Sequence, residues 1–285
     1  MVYNRVLGRK EICQVMLKHT AAQMGLSSLM RKCGKRYGSI YIKLFGYPPV
    51  PASRILARKT LKFLRKKEKG LLLDVGCSHG AYSFELGRMG FTVIGIDTNE
   101  ESISVAQKIR SHLGLRNVDF LHMDILSNKF SENEFDFIVI FETLEHIKED
   151  GKVIQEFNRI LKDNGALIIS VPYAEDVQEY NEPVGACRIK EGTHICIGEG
   201  GCHYRNGYNL GRMGMLLEEN GFLMESWEYL CIPKLFEASF LSFPFKYPLS
   251  LFFTNVSKNR VKLKVIAKKV SSHPTSVDRD GEPNK

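Results

Sequence analysis

Between residues 70 and 171, short apolar runs alternate with segments whose apolar residues recur every three or four positions. Leu71–Val75 is an apolar run bounded by glycines, the pattern of a strand buried on both faces. A helical segment follows to Gly90, then a strand at Phe91–Ile96. Asn99 is placed to cap a helix whose Ile103, Ala106, Ile109 and Leu113 share one side, and Gly114 ends it. Strands are predicted at Val118–His122, Phe135–Phe141 and Ala166–Val171. The last two flank a helix striped by Val153, Ile154, Phe157, Ile160 and Leu161, and Gly165 leads into the final strand. Strands and helices in strict alternation form βαβ units, so the class is α/β with a doubly wound, mostly parallel sheet.

Outside this core the pattern changes. Residues 9–24, 27–44 and 52–67 read as three helices, the third with Ile55, Leu56, Leu61, Phe63 and Leu64 on its apolar side. They define an N-terminal helical extension over 1–69, followed by the main domain at 70–270. Residues 173–206, rich in Gly, Glu and Cys, form an insertion expected over the site. A helix at 207–220 precedes a strand at Phe222–Cys231. Residues 259–270 alternate Val261, Leu263 and Val265 with Lys262 and Lys264, which predicts a half-exposed strand paired with 222–231 at a sheet edge. The polar tail 271–285 is expected to be disordered.

Composition adds bounds. The chain has 285 residues, 44% hydrophobic and 25% charged, enough for a full core and unlike a disordered chain. Net charge is +8, and much of the excess lies in Arg9–Arg36 and Arg58–Lys67. Such a cluster is either a set of solvated helix faces or a meeting point for lipid headgroups, a phosphorylated substrate or RNA. Seven scattered cysteines and the lack of a signal-like apolar start point to a reducing cytoplasm. No apolar stretch is long enough to span a bilayer.

The chemistry concentrates in Leu71-Leu72-Leu73-Asp74-Val75-Gly76-Cys77-Ser78-His79-Gly80. A strand, an acid and glycines at a sharp turn into a helix bring backbone close to a ligand. A dinucleotide would require G-x-G-x-x-G and a helix start open to pyrophosphate, which Asp74 opposes. The acid suits a cationic amino-acid end instead. With Gly76, Cys77 and Gly80, this segment resembles the first motif of the class I S-adenosylmethionine (SAM)-dependent methyltransferases, and the resemblance extends over roughly residues 55–231. It implies a Rossmann-like fold with a seven-stranded sheet, and SAM as cofactor. It also implies that Asp97 binds the ribose hydroxyls and Asp124 the adenine amino group, with Ile125 and Phe141 bordering the site. That family usually has glycine where Ser78 stands; serine is expected to fit through a negative φ.

Phe141-Glu142-Thr143-Leu144-Glu145-His146-Ile147 resembles the E-x-x-E-H signature of small-molecule methyltransferases, including ubiquinone-biosynthesis O-methyltransferases. On one helical turn, Glu142, Glu145 and His146 would converge. The resemblance implies either a divalent cation, Mg²⁺ or Zn²⁺, on this trio or a role in shaping the pocket. Cys202-His203-Tyr204-Arg205 resembles the family's His-x-Arg segment, which implies His203 facing the acceptor and Arg205 binding an anionic group. His146 and His203 are the candidate general bases. Cys187, His194, Cys196, Cys202 and His203 contain no C-x-x-C pair, which argues against a zinc site.

The segment 232–258 carries Phe236, Phe240, Phe243, Phe245, Phe252 and Phe253, broken by Pro233, Pro244 and Pro248. Three readings stand: a core-covering lid, a wall for a long apolar substrate, or an anchor in peripheral contact with a membrane. The expected function is methyl transfer from SAM to a small apolar or lipid-like acceptor, with O-methylation favoured. An RNA methyltransferase and a non-catalytic scaffold are the rivals. The charge favours the first rival, but no amino-directed nucleic-acid motif is present at 142–146. Oligomeric state and acceptor are not legible.

Overall fold

The computed structural model describes residues 61–185, 187–190, 193–196, 202–231 and 261–270. The helices expected at 9–24 and 27–44, residues 52–60 of the helix expected at 52–67, the apolar segment 232–258 and the tail 271–285 lie outside them. The described end of the third helix, Leu64–Lys66, is a 3-10 turn. Leu61 and Leu64 are nonetheless buried against the sheet, as the apolar pattern requires.

The sheet has seven strands: β1 (Leu71–Val75), β2 (Thr92–Asp97), β3 (Val118–His122), β4 (Phe135–Phe141), β5 (Leu161–Pro172), β10 (Phe222–Cys231) and β11 (Val261–Lys269). Their order is β10-β11-β5-β4-β1-β2-β3. β3, β2, β1, β4 and β5 run parallel to their neighbours. β11 alone runs antiparallel to both strands beside it. The chain winds outward from β1 to β3, then returns and winds the other way from β4. The crevice at the carboxyl ends of β1 and β4 is therefore the switch point where ligands bind in open α/β sheets.

Helices α1 (Ala81–Arg88), α2 (Glu100–Leu113), α3 (Asp150–Ile160) and α4 (Leu210–Glu219) cover the two faces. α1 and α2 pack on the face bearing Leu72, Val93, Phe120 and Val139. α3 and α4 pack on the face bearing Leu73, Ile138, Ile140, Ile169 and Val265. The stripe Val153, Ile154, Phe157 and Ile160 of α3 is wholly buried, each side chain contributing about 1.5–3 kcal/mol. Asn99 caps α2 as expected, its side chain accepting from the Ser102 N–H at 2.9 Å, a contact worth about 1 kcal/mol.

Two expectations are corrected. β11 is not an edge strand: it lies between β5 and β10, and β10 is the edge. The Val/Leu–Lys alternation was a sound reading of two faces, but not of their surroundings. Lys262 and Lys264 do not face open water; they pair with Glu142 and Glu228. The solvent-facing strand is β10, where Leu223, Trp227 and Tyr229 are exposed. The segment 173–206 is also more regular than its composition implied. β6 (Glu179–Gly185) pairs antiparallel with β9 (Cys202–Arg205), and β7 (Cys187–Lys190) with β8 (Thr193–Cys196).

Candidate functional site

The loop after β1 reverses at three left-handed residues: Gly76 at φ +71°, Ser78 at +48° and Gly80 at +80°. A side chain at Gly76 would run into Thr143, and one at Gly80 into Phe120. Both glycines are thus required for conformation and for close approach. Ser78 adopts positive φ rather than the negative φ expected of it. A non-glycine residue there carries strain. Its compensation is visible, because the Ser78 N–H donates to the Asp97 carboxylate at 2.8 Å.

Asp97 ends β2, and its second oxygen accepts from the Asn99 N–H, also at 2.8 Å. Two backbone donors from different loops hold the carboxylate in one orientation at the crevice. Asp124 follows β3, is exposed, and accepts from the Leu126 N–H at 2.9 Å, starting the 3-10 turn Ile125–Ser127. Ile125 is buried beneath it, and Phe141 meets Tyr82 of α1 edge to face at a centroid distance of 4.6 Å. Cys77 is buried in the loop, and burial pushes its thiol far up.

Asp74 is the buried acid of the crevice. Burial pushes it up to about 7, against the Ser83 hydroxyl, which donates to it at 2.5 Å. A carboxyl kept partly protonated for want of a positive neighbour is a fit for an ammonium group. The glycine-lined loop, Asp74 and the doubly held Asp97 together fit an amino-acid end and a ribose, as SAM would present them.

On the other side of β4 the expected geometry does not form. Glu142 takes φ +53°, and Leu144–His146 is a 3-10 turn, so Glu142, Glu145 and His146 do not share one α-helical turn. Glu142 accepts from the Ser170 hydroxyl at 3.3 Å and pairs with Lys262. Burial pulls Lys262 down to about 8, and its ammonium nitrogen touches the Glu142 carboxylate. Glu145 is buried, pushed up to about 7 by that burial, with one oxygen lacking a hydrogen-bond partner. Its other oxygen lies 3.9 Å from His146 Nε2. Among the described residues, no three His, Cys, Asp or Glu side chains form a group suited to a metal ion. The trio does not fit a divalent cation as arranged.

The two candidate bases do come together. The His146 and His203 rings meet edge to face, with centroids 4.4 Å apart. His146 Nδ1 lies 2.6 Å from the Cys202 carbonyl oxygen, which can only accept, so Nδ1 carries the proton and Nε2 is the basic nitrogen. β9 supplies both the carbonyl and His203, which ties the insertion to the turn after β4. Side chains at 187–190 and 193–196 lie outside the description, so Cys187, His194 and Cys196 go no further.

Arg205 corrects another expectation. It is buried rather than turned toward an acceptor, and its guanidinium donates to the carbonyls of Leu144, Ile147 and Lys148 at 3.1, 2.7 and 3.0 Å. It also donates to the Tyr208 hydroxyl at 3.1 Å and lies 3.6 Å from Asp150. It holds the shape of the turn that carries Glu145 and His146. Tyr208, Asp150, Ser83, Ser170 and Lys262 were not found from sequence. Of these, only Ser83 lies close to the first motif in sequence, as the third residue of α1.

Residues 66–202 match the family model described as a methyltransferase domain. Residues 66–202 are a class I SAM-dependent methyltransferase domain. The ubiquinone biosynthesis O-methyltransferase of Actinobacillus pleuropneumoniae is 34% identical over 119 residues, covering 39% of this chain and 50% of that protein. The demethylmenaquinone methyltransferase of Staphylococcus saprophyticus is 28% identical over 114 residues, covering 39% and 48%. The chain thus spans about half the length of the curated relatives it matches. A SAM-dependent methyltransferase structure from Methanosarcina mazei shares the methyltransferase fold at TM-score 0.51 and 19% identity, covering 74% of this chain and 97% of that one.

Proposed function

We propose that this protein transfers the methyl group of SAM to a small, apolar or lipid-like acceptor, with an oxygen as the favoured acceptor atom. The observation that carries the cofactor half is the Asp97 carboxylate, fixed by two backbone N–H groups beside a left-handed glycine loop. A single carboxylate held this way accepts two neighbouring hydroxyls without reorganising. Asp74 would take the ammonium of the amino-acid end, and Asp124 the adenine amino group. Bound SAM supplies an electrophilic methyl on a sulfonium, which needs a nucleophile held in line and away from water.

The chain's own contribution is positioning and proton removal. His146 Nε2 is the basic nitrogen of a ring oriented by the Cys202 carbonyl, and His203 closes one side of it. A hydroxyl acceptor presented to that nitrogen would lose its proton there as the new bond forms. Support for a lipid-like acceptor comes from the names of two relatives, which concern ubiquinone and menaquinone. It also comes from where the apolar segment 232–258 leaves and rejoins the sheet. Cys231 pairs with Val261 beside Pro172, at the carboxyl rim. The described strand ends that flank that segment therefore both lie at the carboxyl rim. Among the described residues no helix is long and apolar enough to cross a membrane. The membrane contact we propose is peripheral. A cytoplasmic setting is part of the same proposal.

The test is calorimetry with SAM, then incubation with methyl-labelled SAM and separate lipid, small-molecule and RNA fractions from cells. Label in the organic phase is expected. Label in RNA would overturn the acceptor class, and absence of SAM binding would overturn the function altogether.

A further inference from the structure

Glu142 is a puzzle if it only caps a strand. It follows the last residue of β4, at the switch-point crevice, and takes a left-handed φ of +53° that a glutamate rarely adopts. That backbone is fastened from β5: the Glu142 N–H donates to the Ser170 carbonyl at 2.7 Å, and the Ser170 hydroxyl reaches the carboxylate. The effect is to turn the carboxylate toward β11, away from Glu145 and His146. There it meets Lys262, which stands opposite Pro172 of β5 and Leu230 of β10. Strained residues held by surrounding structure mark functional sites more often than surface ion pairs do.

The placement gives the pair its meaning. Asp97 and Asp124 end β2 and β3, on the cofactor side of the crevice. Lys262 stands on the same carboxyl rim but two strands beyond β4 in the other direction, about 10 Å across the sheet. Its side chain is 18% exposed and that of Glu142 is 27%, so the ammonium is sheltered yet reachable. A sheltered lysine beside one carboxylate retains donors for a second acceptor oxygen.

We propose that Lys262 is a specificity-determining residue that binds an anionic oxygen, carboxylate or phenolate in kind, of the acceptor, with Glu142 as its resident counter-charge. The proposal rests on the methyltransferase reading above and names the acceptor chemistry of the same site. Glu142 holds Lys262 in place when no acceptor is bound and competes with the acceptor for it.

The experiment uses the full chain loaded with S-adenosylhomocysteine, titrated by calorimetry with 3,4-dihydroxybenzoate and with catechol, its uncharged counterpart. Wild type is expected to prefer the carboxylate probe by about tenfold, the scale of one charge-assisted hydrogen bond. Lys262→Met should erase the preference, and Lys262→Arg should keep most of it. Glu142→Gln removes the competing charge while Ser170 still holds the side chain, so the preference should rise. Opposite signs for Lys262→Met and Glu142→Gln separate a binding role from a merely structural pair, whose loss would move both the same way. Equal affinity for the two probes, no binding of either, or a preference surviving in Lys262→Met would overturn the proposal. Should Lys262→Met fail to fold, the Glu142→Gln result decides alone. Failure of S-adenosylhomocysteine to bind would instead break the methyltransferase reading, and the same titrations on the unloaded chain would still test Lys262.

Discussion

The two halves of the crevice are built by different means. On the cofactor side, backbone does most of the work: a loop with left-handed Gly76, Ser78 and Gly80, and two N–H groups that fix Asp97. All of these residues lie between Gly76 and Asn99, in one βαβ unit and the turn that follows it. On the acceptor side, side chains from remote segments do the work. Arg205 shapes the turn at 144–148, Cys202 orients His146, and Ser170 and Lys262 hold Glu142. One half is a local motif and the other is an assembly of long-range contacts. The first half should therefore fail in binding when altered, and the second in stability or selectivity.

Arg205→Ala is the hardest blow to that contrast. Removing a buried guanidinium leaves the carbonyls of Leu144, Ile147 and Lys148 without their donor and leaves Arg212 as the remaining charge partner of Asp150. A loss of about 3–5 kcal/mol in folding stability is expected, measured by chemical denaturation. Unchanged stability with a defect confined to an anionic acceptor would return Arg205 to the substrate role first expected of it. Asp97→Ala should do the opposite. It should weaken SAM binding by about 1.5–3 kcal/mol, with a smaller loss of folding stability than Arg205→Ala because two exposed backbone N–H groups lose their acceptor, and calorimetry showing undiminished affinity would remove Asp97 from the ribose.

Asp74 sharpens the comparison through pH. Its folded value of about 7 means the carboxyl is protonated in mild acid, whereas an ammonium ligand binds the ionised form. SAM binding must then expel a proton below about pH 7. Affinity should fall by at most about 1.4 kcal/mol per pH unit from 7 toward 5, and level off above. Titrations in buffers of different ionisation enthalpy should count up to one released proton, and Asp74→Asn should flatten the profile. A flat profile in wild type would place the ammonium elsewhere. Ser78→Gly relieves a left-handed non-glycine residue and should raise stability by about 1 kcal/mol, read as a higher melting midpoint; a lower one would mean the serine side chain stabilises the loop by more than its strain costs. The smallest expected effect is none at all. Glu142, Glu145 and His146 do not converge, so methyl transfer should persist in EDTA, and loss of turnover restored by Mg²⁺ or Zn²⁺ would mean that the trio rearranges around a cation.

What could be read in the residues follows the same division. The stripe Val153, Ile154, Phe157 and Ile160, the cap at Asn99 and the glycines of the first loop are local patterns, and the structure repeats each of them. Ser78 was legible as a departure, but its φ was not, because the Asp97 carboxylate that stabilises the left-handed turn lies on another strand. The E-x-x-E-H spacing predicted convergence only under the assumption of an α-helix. The left-handed Glu142 and a 3-10 turn defeat that assumption, and what imposes them is Ser170 and Arg205, far along the chain. Lys262 carried no signal beyond alternation. A lysine facing water and a lysine facing a buried-edge glutamate look the same in a strand pattern.

The position of β11 inside the sheet has a consequence for how the chain reaches its final form. β5 is made early, and β10 later, but neither can complete its hydrogen bonding until residues 261–269 slide in between. Until that moment a nascent chain exposes two unsatisfied strand margins, those of β5 and β10. Such a late, non-local closure is slow and invites mispairing with other chains. During synthesis the half of the sheet carrying the SAM loop can settle first, and the acceptor side is finished by the last strand to arrive.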